Sequence, residues 1–285
     1  MTRSRHARTV HLSFSGGEAR GYAHIGCLQA VERLGLRVTE VSGSSIGALV
    51  AALYAADFTA AEIERVGTSL PRRQFLRYNW PEARALVNLF RRKPHRKPAG
   101  VWSLEPYYRT VNRLLGRARF KDLKRPCAIQ ATDLTNLRPV IFSRDVDPYM
   151  EVAFAVKASS AVPGLMSPVE WGGLVLADGG AFVDLDRLSI RAPRIVVSNV
   201  SSHGYERQAI TSLPRVIAAY LRYRERAWLP PRSVRGVPVT VIRYPAALGR
   251  LRPFRRPKPE VARQIITEAR WAALQTLAAR GPARG

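Results

Sequence analysis

Three short stretches combine small residues with a nucleophile or an acid in patterns that chemistry can use. The first is Gly43-Ser44-Ser45-Ile46-Gly47, a G-x-S-x-G between a run that reads as a strand and one that reads as a helix. At a sharp strand-to-helix turn, Gly43 and Gly47 let the backbone follow a strained path and lift the Ser45 hydroxyl above the sheet edge. The positive end of the following helix favours the negative charge of an alkoxide or oxyanion there. Such a pattern arises by chance in about one chain in ten of this length, so it needs company.

The second stretch is Ser15-Gly16-Gly17-Glu18-Ala19-Arg20-Gly21, again between a strand and a helix. It lacks the G-x-G-x-x-G spacing with a later acid that a dinucleotide loop needs, and the Gly-Lys-Ser/Thr end of a phosphate loop. The amides of Gly16 and Gly17 suit instead a nest for the oxyanion of a tetrahedral intermediate, with a helix dipole behind it. The third stretch, Asp178-Gly179-Gly180, directly follows the apolar run Leu174 to Ala177. That puts a carboxylate at a strand's C-terminal end, where sites in parallel sheets gather, although Asp-Gly by itself reads as a turn.

The elements that must position these groups follow from periodicity. Val10 to Phe14 reads as a buried strand, Gly21 to Leu34 as a helix, Arg37 to Val41 as a strand, and Ile46 to Ala56 and Thr59 to Ser69 as helices. Further strands are expected at Cys127 to Thr132, Pro139 to Ser143, Leu174 to Ala177, Ile195 to Val200 and Val237 to Tyr244. Helices are expected near Tyr149 to Ser159, Arg207 to Arg226 and Pro259 to Ala279, the last packing on the outside. Alternating strands and helices predict an α/β layered fold with a largely parallel sheet. Between 70 and 123 the texture turns to Arg, Lys and Pro with interleaved aromatics, which suits an inserted basic lid. The predicted organisation is a basic tail over 1–9, a core over 10–203 containing that lid, and a flanking segment over 204–285.

Taken together, the blocks SGGEARG followed by YAHIG, GSSIG with its helix, ATDL followed by KASSAVPGLMSPV, and DGG resemble the patatin-like phospholipases, in the same order and over residues 10 to 183. The resemblance implies a three-layer α/β/α fold and a Ser–Asp dyad without histidine, with Ser45 as nucleophile and Asp178 as base. It further implies oxyanion-hole positions at Gly16, Gly17, Glu18, Arg20 and Gly21, with Arg20 closing the loop, and lipid acyl esters as substrates. Gly43 and Gly47 match the elbow, and Gly179 and Gly180 support the loop. No metal or cofactor is expected. The sequence departs from the family pattern in two places. Glu18 stands where a third glycine is common, at a cost of about 1–2 kcal/mol if φ is positive there. Val183, Asp184, Leu185 and Asp186 replace the usual Asn and Pro.

A rival triad of Ser45, Asp178 and His203 has the chain order of an α/β-hydrolase. It is disfavoured because Ser45 follows only the second strand and no HGGG-type loop is present. His24 reads as a packing residue on the first helix. A rival of another class is an inactive scaffold acting as a basic binding module for membrane or nucleic acid. Its support is the charge: 46 basic residues against 21 acidic give +25 over 285 residues, attractive to any polyanion. Six of the basic residues are Lys and forty are Arg, so the excess also fits a solvated Arg-rich surface. The expected partners are a lipid ester and an anionic membrane surface reached through Arg72 to Arg125 and Arg250 to Arg256, with nucleic acid less favoured in the absence of a recognisable motif. The 46% apolar content argues for a packed chain. No apolar run has secretory or bilayer-spanning length, which predicts a cytoplasmic placement, peripheral on the membrane. Cys27 and Cys127 lack metal-type spacing and are expected to be buried free thiols.

Overall fold

The sequence TVHLSF forms the central strand of the sheet, β1 (Thr9–Phe14), in a computed structural model that describes residues 8–69, 77–78, 102–200, 231–244 and 257–279. Val10, Leu12 and Phe14 are fully buried on one face of the sheet. His11 and Ser13 are buried too: His11 lies 2.8 Å from Ser42 Oγ and 3.4 Å from Glu40 Oε2, and Ser42 Oγ donates to Ser13 Oγ at 3.0 Å. A strand buried on both sides is the expectation for the middle of a parallel sheet.

The other strands are β2 (Arg37–Ser44), β3 (Arg77–Tyr78), β4 (Trp102–Ser103), β5 (Cys127–Asp133), β6 (Arg138–Ser143), β7 (Val169–Trp171), β8 (Leu174–Asp178), β9 (Ile195–Asn199), β10 (Ser233–Val234) and β11 (Val237–Arg243). The main sheet runs β10-β11-β9-β1-β2-β5-β8-β7, with β6 also on β5, while β3 and β4 form a separate ribbon. From β11 to β5 all neighbours are parallel. β6, β7, β8 and β10 pair antiparallel, so the α/β sheet is mixed and largely parallel.

The helices are α1 (Tyr22–Arg33), α2 (Ile46–Ala55), α3 (Ala60–Ser69), α4 (Glu105–Leu114), α5 (Val152–Ser159) and α6 (Pro259–Ala279). All six contribute to one apolar cluster with Val10, Leu12 and Phe14. In α2, IGALVAALYA, every residue from Gly47 to Ala55 is buried, as an all-round apolar helix requires. α6 packs on α1, where a side chain at Gly26 would meet the Ile266 carbonyl at 2.3 Å. The opposite face of the sheet is covered, among the described residues, by a second cluster built from Phe182, Val183, Leu185 and Leu188 on Ile195, Val197 and Val239. The helix expected over 207–226 and the N-terminal tail lie outside the described residues.

The second half of the expected lid, 102–123, is built into the core. Leu104, Tyr107, Val111, Leu115, Phe120 and Leu123 all join the main cluster. α4 within it escaped the sequence reading because its basic face, EPYYRTVNRL, resembles the surrounding Arg-rich texture. Residues 70–76 and 79–101, with Trp80 and Phe90, lie outside the described residues. Cys27 and Cys127 are free and buried, their thiols pushed up by burial to about 11 and about 12.

Candidate active site

Ser45 sits between β2 and α2 with φ 54° and ψ −123°, a region that costs a non-glycine residue about 1–3 kcal/mol. The expectation that Gly43 and Gly47 absorb this strain is corrected here: neither has positive φ, and the strain falls on the serine itself. The glycines are there for space. A Cβ at Gly43 would lie 2.2 Å from the Gly47 carbonyl oxygen, and one at Gly47 would lie 2.4 Å from that of Phe14. The turn is held from outside, because the Ser45 N–H donates to Ser159 Oγ at 2.8 Å. Ser44 is fully buried and its hydroxyl donates to the Gly180 carbonyl at 2.7 Å, which leaves Ser45, half-buried, as the accessible hydroxyl of the pair.

Sheet register brings the acid to the serine. β6 occupies one edge of β5 along Ala128–Asp133, so β2 and β8 share the other edge. β2 runs parallel to β5 and ends with Ser44 opposite Gln130. β8 runs antiparallel and ends with Asp178 opposite Ala131, the next residue. The two strands therefore meet end to end, and their C-termini carry the segments with Ser45 and Asp178. The expected parallel strand under Asp178 is thus an antiparallel one. The apolar run Leu174 to Ala177 reads as a buried strand of either direction, so the sequence could not tell the two apart.

The Asp178-Gly179-Gly180 turn is bonded on every side. The Asp178 N–H donates to the Ala161 carbonyl at 2.8 Å, and Asp178 Oδ1 accepts the Gly180 N–H at 2.8 Å. Thr132 Oγ1 donates to the Asp178 carbonyl at 2.8 Å. Gln130 Nε2 donates to the Gly179 and Phe182 carbonyls at 2.7 and 2.8 Å, and its Oε1 accepts the Asp184 N–H at 2.7 Å. Ser159 closes the arrangement: its hydroxyl donates to the Gln130 carbonyl at 2.5 Å, and its carbonyl accepts the Gly179 N–H at 3.2 Å. Gly179 has no room for a side chain, since a Cβ would meet the Gln130 oxygen at 2.0 Å.

The glycine loop packs on both partners. A Cβ at Gly16 would lie 2.6 Å from the Gly180 oxygen and 3.3 Å from Ser45 Cβ. The expectation that the Gly16 amide serves an oxyanion needs correcting, because that N–H donates to the Ala181 carbonyl at 2.7 Å. Gly17 adopts φ 157°, with Val200 Cγ2 2.5 Å from where a Cβ would stand. Glu18 has φ 54°, so the condition under which a non-glycine residue is strained at this position is met. Glu18 to Gly21 form a single 3-10 turn, closed by Arg20, whose N–H and Nε both lie 3.1 Å from the Gly17 carbonyl. Gly21 lets Ile46 at the start of α2 approach to 2.4 Å of a Cβ position.

Behind the loop, His24 does more than pack on Phe14. It is fully buried, with Nε2 2.9 Å from the Ser15 carbonyl and Nδ1 2.7 Å from Ser198 Oγ. Burial holds its pKa down to about 4, so the ring is neutral and Nε2 carries the proton. Ser198 Oγ then donates to Nδ1 and accepts from the Tyr244 hydroxyl at 2.5 Å. Tyr107, from α4, is a further neighbour that the sequence reading missed. Burial raises its phenol well above the ordinary range and the negative charge of Asp178 adds to the rise; Ser160 Oγ lies 3.4 Å away. Of the sequence-derived residues, Gly16, Gly43, Ser45, Gly47, Asp178, Gly179 and Gly180 converge directly, and Gly17 to Gly21 form the adjoining loop. His203 lies outside the described residues.

Comparison with known proteins bears on the same segments. A model described as patatin-like phospholipase matches residues 12–189, more than half of the chain. An uncharacterized NTE family protein of Mycobacterium tuberculosis is 34% identical over 171 residues, which cover 60% of this chain and 42% of that one. Lysophospholipase NTE1 of Saccharomyces cerevisiae is 27% identical over 191 residues, 65% of this chain and 10% of the relative. The chain spans less than half the length of these curated relatives. The crystal structure of VipD from Legionella pneumophila shares the fold, with a TM-score of 0.57 at 16% identity, covering 94% of this chain and 66% of VipD. The matched region runs from β1 through the glycine loop, the elbow and the Asp178 turn, and on that match the chain belongs to the patatin-like phospholipase family.

Proposed function

We propose that the protein is a lipid acyl hydrolase of the phospholipase A or lysophospholipase type, working through a Ser45–Asp178 dyad and an acyl-enzyme. The observation that carries this reading is the meeting of β2 and β8 on one edge of β5, with Ser44 opposite Gln130 and Asp178 opposite Ala131. Asp178 takes the Ser45 proton as Oγ attacks the ester carbonyl carbon, and the carbonyl electrons move onto oxygen. That oxyanion lies against the Gly17–Glu18 amides and the N-terminal end of α2. Collapse expels the alcohol, which leaves with the proton held by Asp178. Water then adds to the acyl-enzyme with Asp178 as base, the acid departs and Ser45 regains its proton. Ser44 stays out of the chemistry because it is enclosed and bonded to Gly180.

A fluorophosphonate probe tests the assignment. It is expected to label the wild type and Ser44→Ala, and to leave Ser45→Ala unlabelled; labelling that survives Ser45→Ala overturns the reading. Basic residues recruit the enzyme to anionic lipid in this proposal, so vesicle binding should fade as salt shortens the screening length from about 10 Å at 0.1 M to about 3 Å at 1 M. Indifference to vesicles together with salt-steep DNA binding would favour the binding-module alternative.

A further inference from the structure

The turn between β5 and β6 presents two leucines to solvent at the same end of the sheet as the candidate dyad. Leu137 is 83% exposed and Leu134 is 39% exposed. Leu137 also has φ 53°, a conformation that glycine or asparagine takes more readily than leucine. Water gives a leucine no reason to be at this position, on either count.

The turn is stiff. Asp133, fully enclosed beneath it, accepts the Thr135 and Asn136 N–H groups at 2.8 and 3.2 Å and the Asn136 side-chain amide at 2.7 Å. Arg138 Nε lies 3.5 Å from the same carboxylate. The Leu134 N–H donates to the Val175 carbonyl at 2.8 Å, and the Val175 N–H donates to Thr135 Oγ1 at 3.2 Å, which tie the turn to β8. Asp178 lies opposite Ala131. At about 3.3 Å per residue, Leu134 therefore stands roughly 10 Å further out along the strand than the acid. From Leu134 to Arg144 the chain carries no carboxylate, and Arg138 is well exposed, in a protein of net charge +25. A rigid tip that exposes apolar side chains and keeps its one carboxylate, Asp133, enclosed, beside a lipid-ester site, matches the chemistry of an anionic bilayer.

We propose that the β5–β6 turn inserts Leu134 and Leu137 shallowly into an anionic phospholipid surface and so holds the ends of β2 and β8 against it. The proposal rests on the lipid-ester reading above, and its test separates the two. Both native cysteines are buried, so Leu137→Cys creates the accessible thiol for an environment-sensitive fluorophore. With vesicles of phosphatidylcholine and phosphatidylglycerol, the dye is expected to shift to the blue and to be quenched by brominated acyl chains. The same dye at Val146→Cys, beyond the far end of β6, should do neither. Leu137→Gly suits the backbone and should melt no lower than wild type, yet lose about tenfold in turnover of vesicle phospholipid while a soluble short-chain ester is turned over as before.

A dye at position 137 that ignores vesicles, or vesicle turnover undiminished in Leu137→Gly, overturns the anchor. A shift that grows with protein concentration in the absence of lipid overturns it in favour of a second copy on this tip. Absence of turnover on both substrates by the wild type would instead sink the hydrolase reading, and the dye would still report whether the tip inserts.

Discussion

The two halves of the candidate site are held in different ways. The dyad half is fixed by strand register, by the Gln130 and Thr132 side chains of β5 and by the Ser159 carbonyl at the end of α5, which bond the peptides of the Asp178 turn. The loop half is held by the Ser15 and Gly16 N–H groups on the Ser198 and Ala181 carbonyls and by one neutral imidazole, with His24 on the Ser15 carbonyl and Ser198 and Tyr244 behind it. It also carries a residue, Glu18, in a conformation that does not suit it. The comparison teaches that both halves carry a strained residue, Ser45 in one and Glu18 in the other, but only the loop half depends on a protonation state.

The largest effect is expected at the acid of the proposed dyad. Asp178→Asn should lower ester turnover by about three orders of magnitude or more, with the melting temperature near wild type. A simple nitrophenyl ester assay checks it, and near-normal turnover would remove Asp178 from the mechanism. Next comes the hub. Gln130→Ala strands the Gly179 and Phe182 carbonyls and the Asp184 N–H, and should destabilise the fold by about 4 kcal/mol in urea unfolding. A loss under 1 kcal/mol would mean that water replaces the side chain, and the halves would differ less than the hydrogen bonds imply.

The loop half should answer to acid. The folded state holds His24 at about 4 against an ordinary value of 6.5, so folding favours its neutral form. The stability this gives is complete above pH 6.5 and is lost as the pH falls towards 4, where the unfolded chain binds a proton the folded chain refuses. The loss should reach about 3 kcal/mol by pH 4. His24→Gln, which has no proton to take up, should show a flatter melting profile between pH 7 and 4, and parallel profiles would refute the assignment. The smallest effect is at Glu18. Glu18→Gly should raise stability by about 1 kcal/mol and keep or raise turnover. A large fall in turnover would give the carboxylate a positive role beside Arg20.

Much of this site was legible in the sequence because its local chemistry is local in sequence. GSSIG, SGGEARG and DGG each encode a turn, and each lies at the end of an element expected from periodicity. The strands from Val10 to Val41 and the helix at Ile46 were placed to within a few residues for the same reason. What stayed hidden depends on partners far along the chain. Gln130 sits in an ordinary strand, Tyr107 in a segment taken for a surface lid, and Ser159 in a block matched to the family without a role. His24 seemed to be packing because an aromatic ring on a helix face looks the same whether or not its nitrogens are bonded. The direction of β8 was illegible because a short apolar run reads alike in a parallel and an antiparallel strand.

The shared edge of β5 has a consequence for the newborn chain. Ser44 and Gly180, bonded in the finished fold, are 136 positions apart. While synthesis has passed β5 and delivered neither α5 nor β8, residues Ala131–Asp133 lack β8 along one edge and the strained Ser45 turn lacks the Ser159 hydroxyl that holds it. The Ser45–Asp178 arrangement therefore cannot form until the middle third of this sequence has docked on β5.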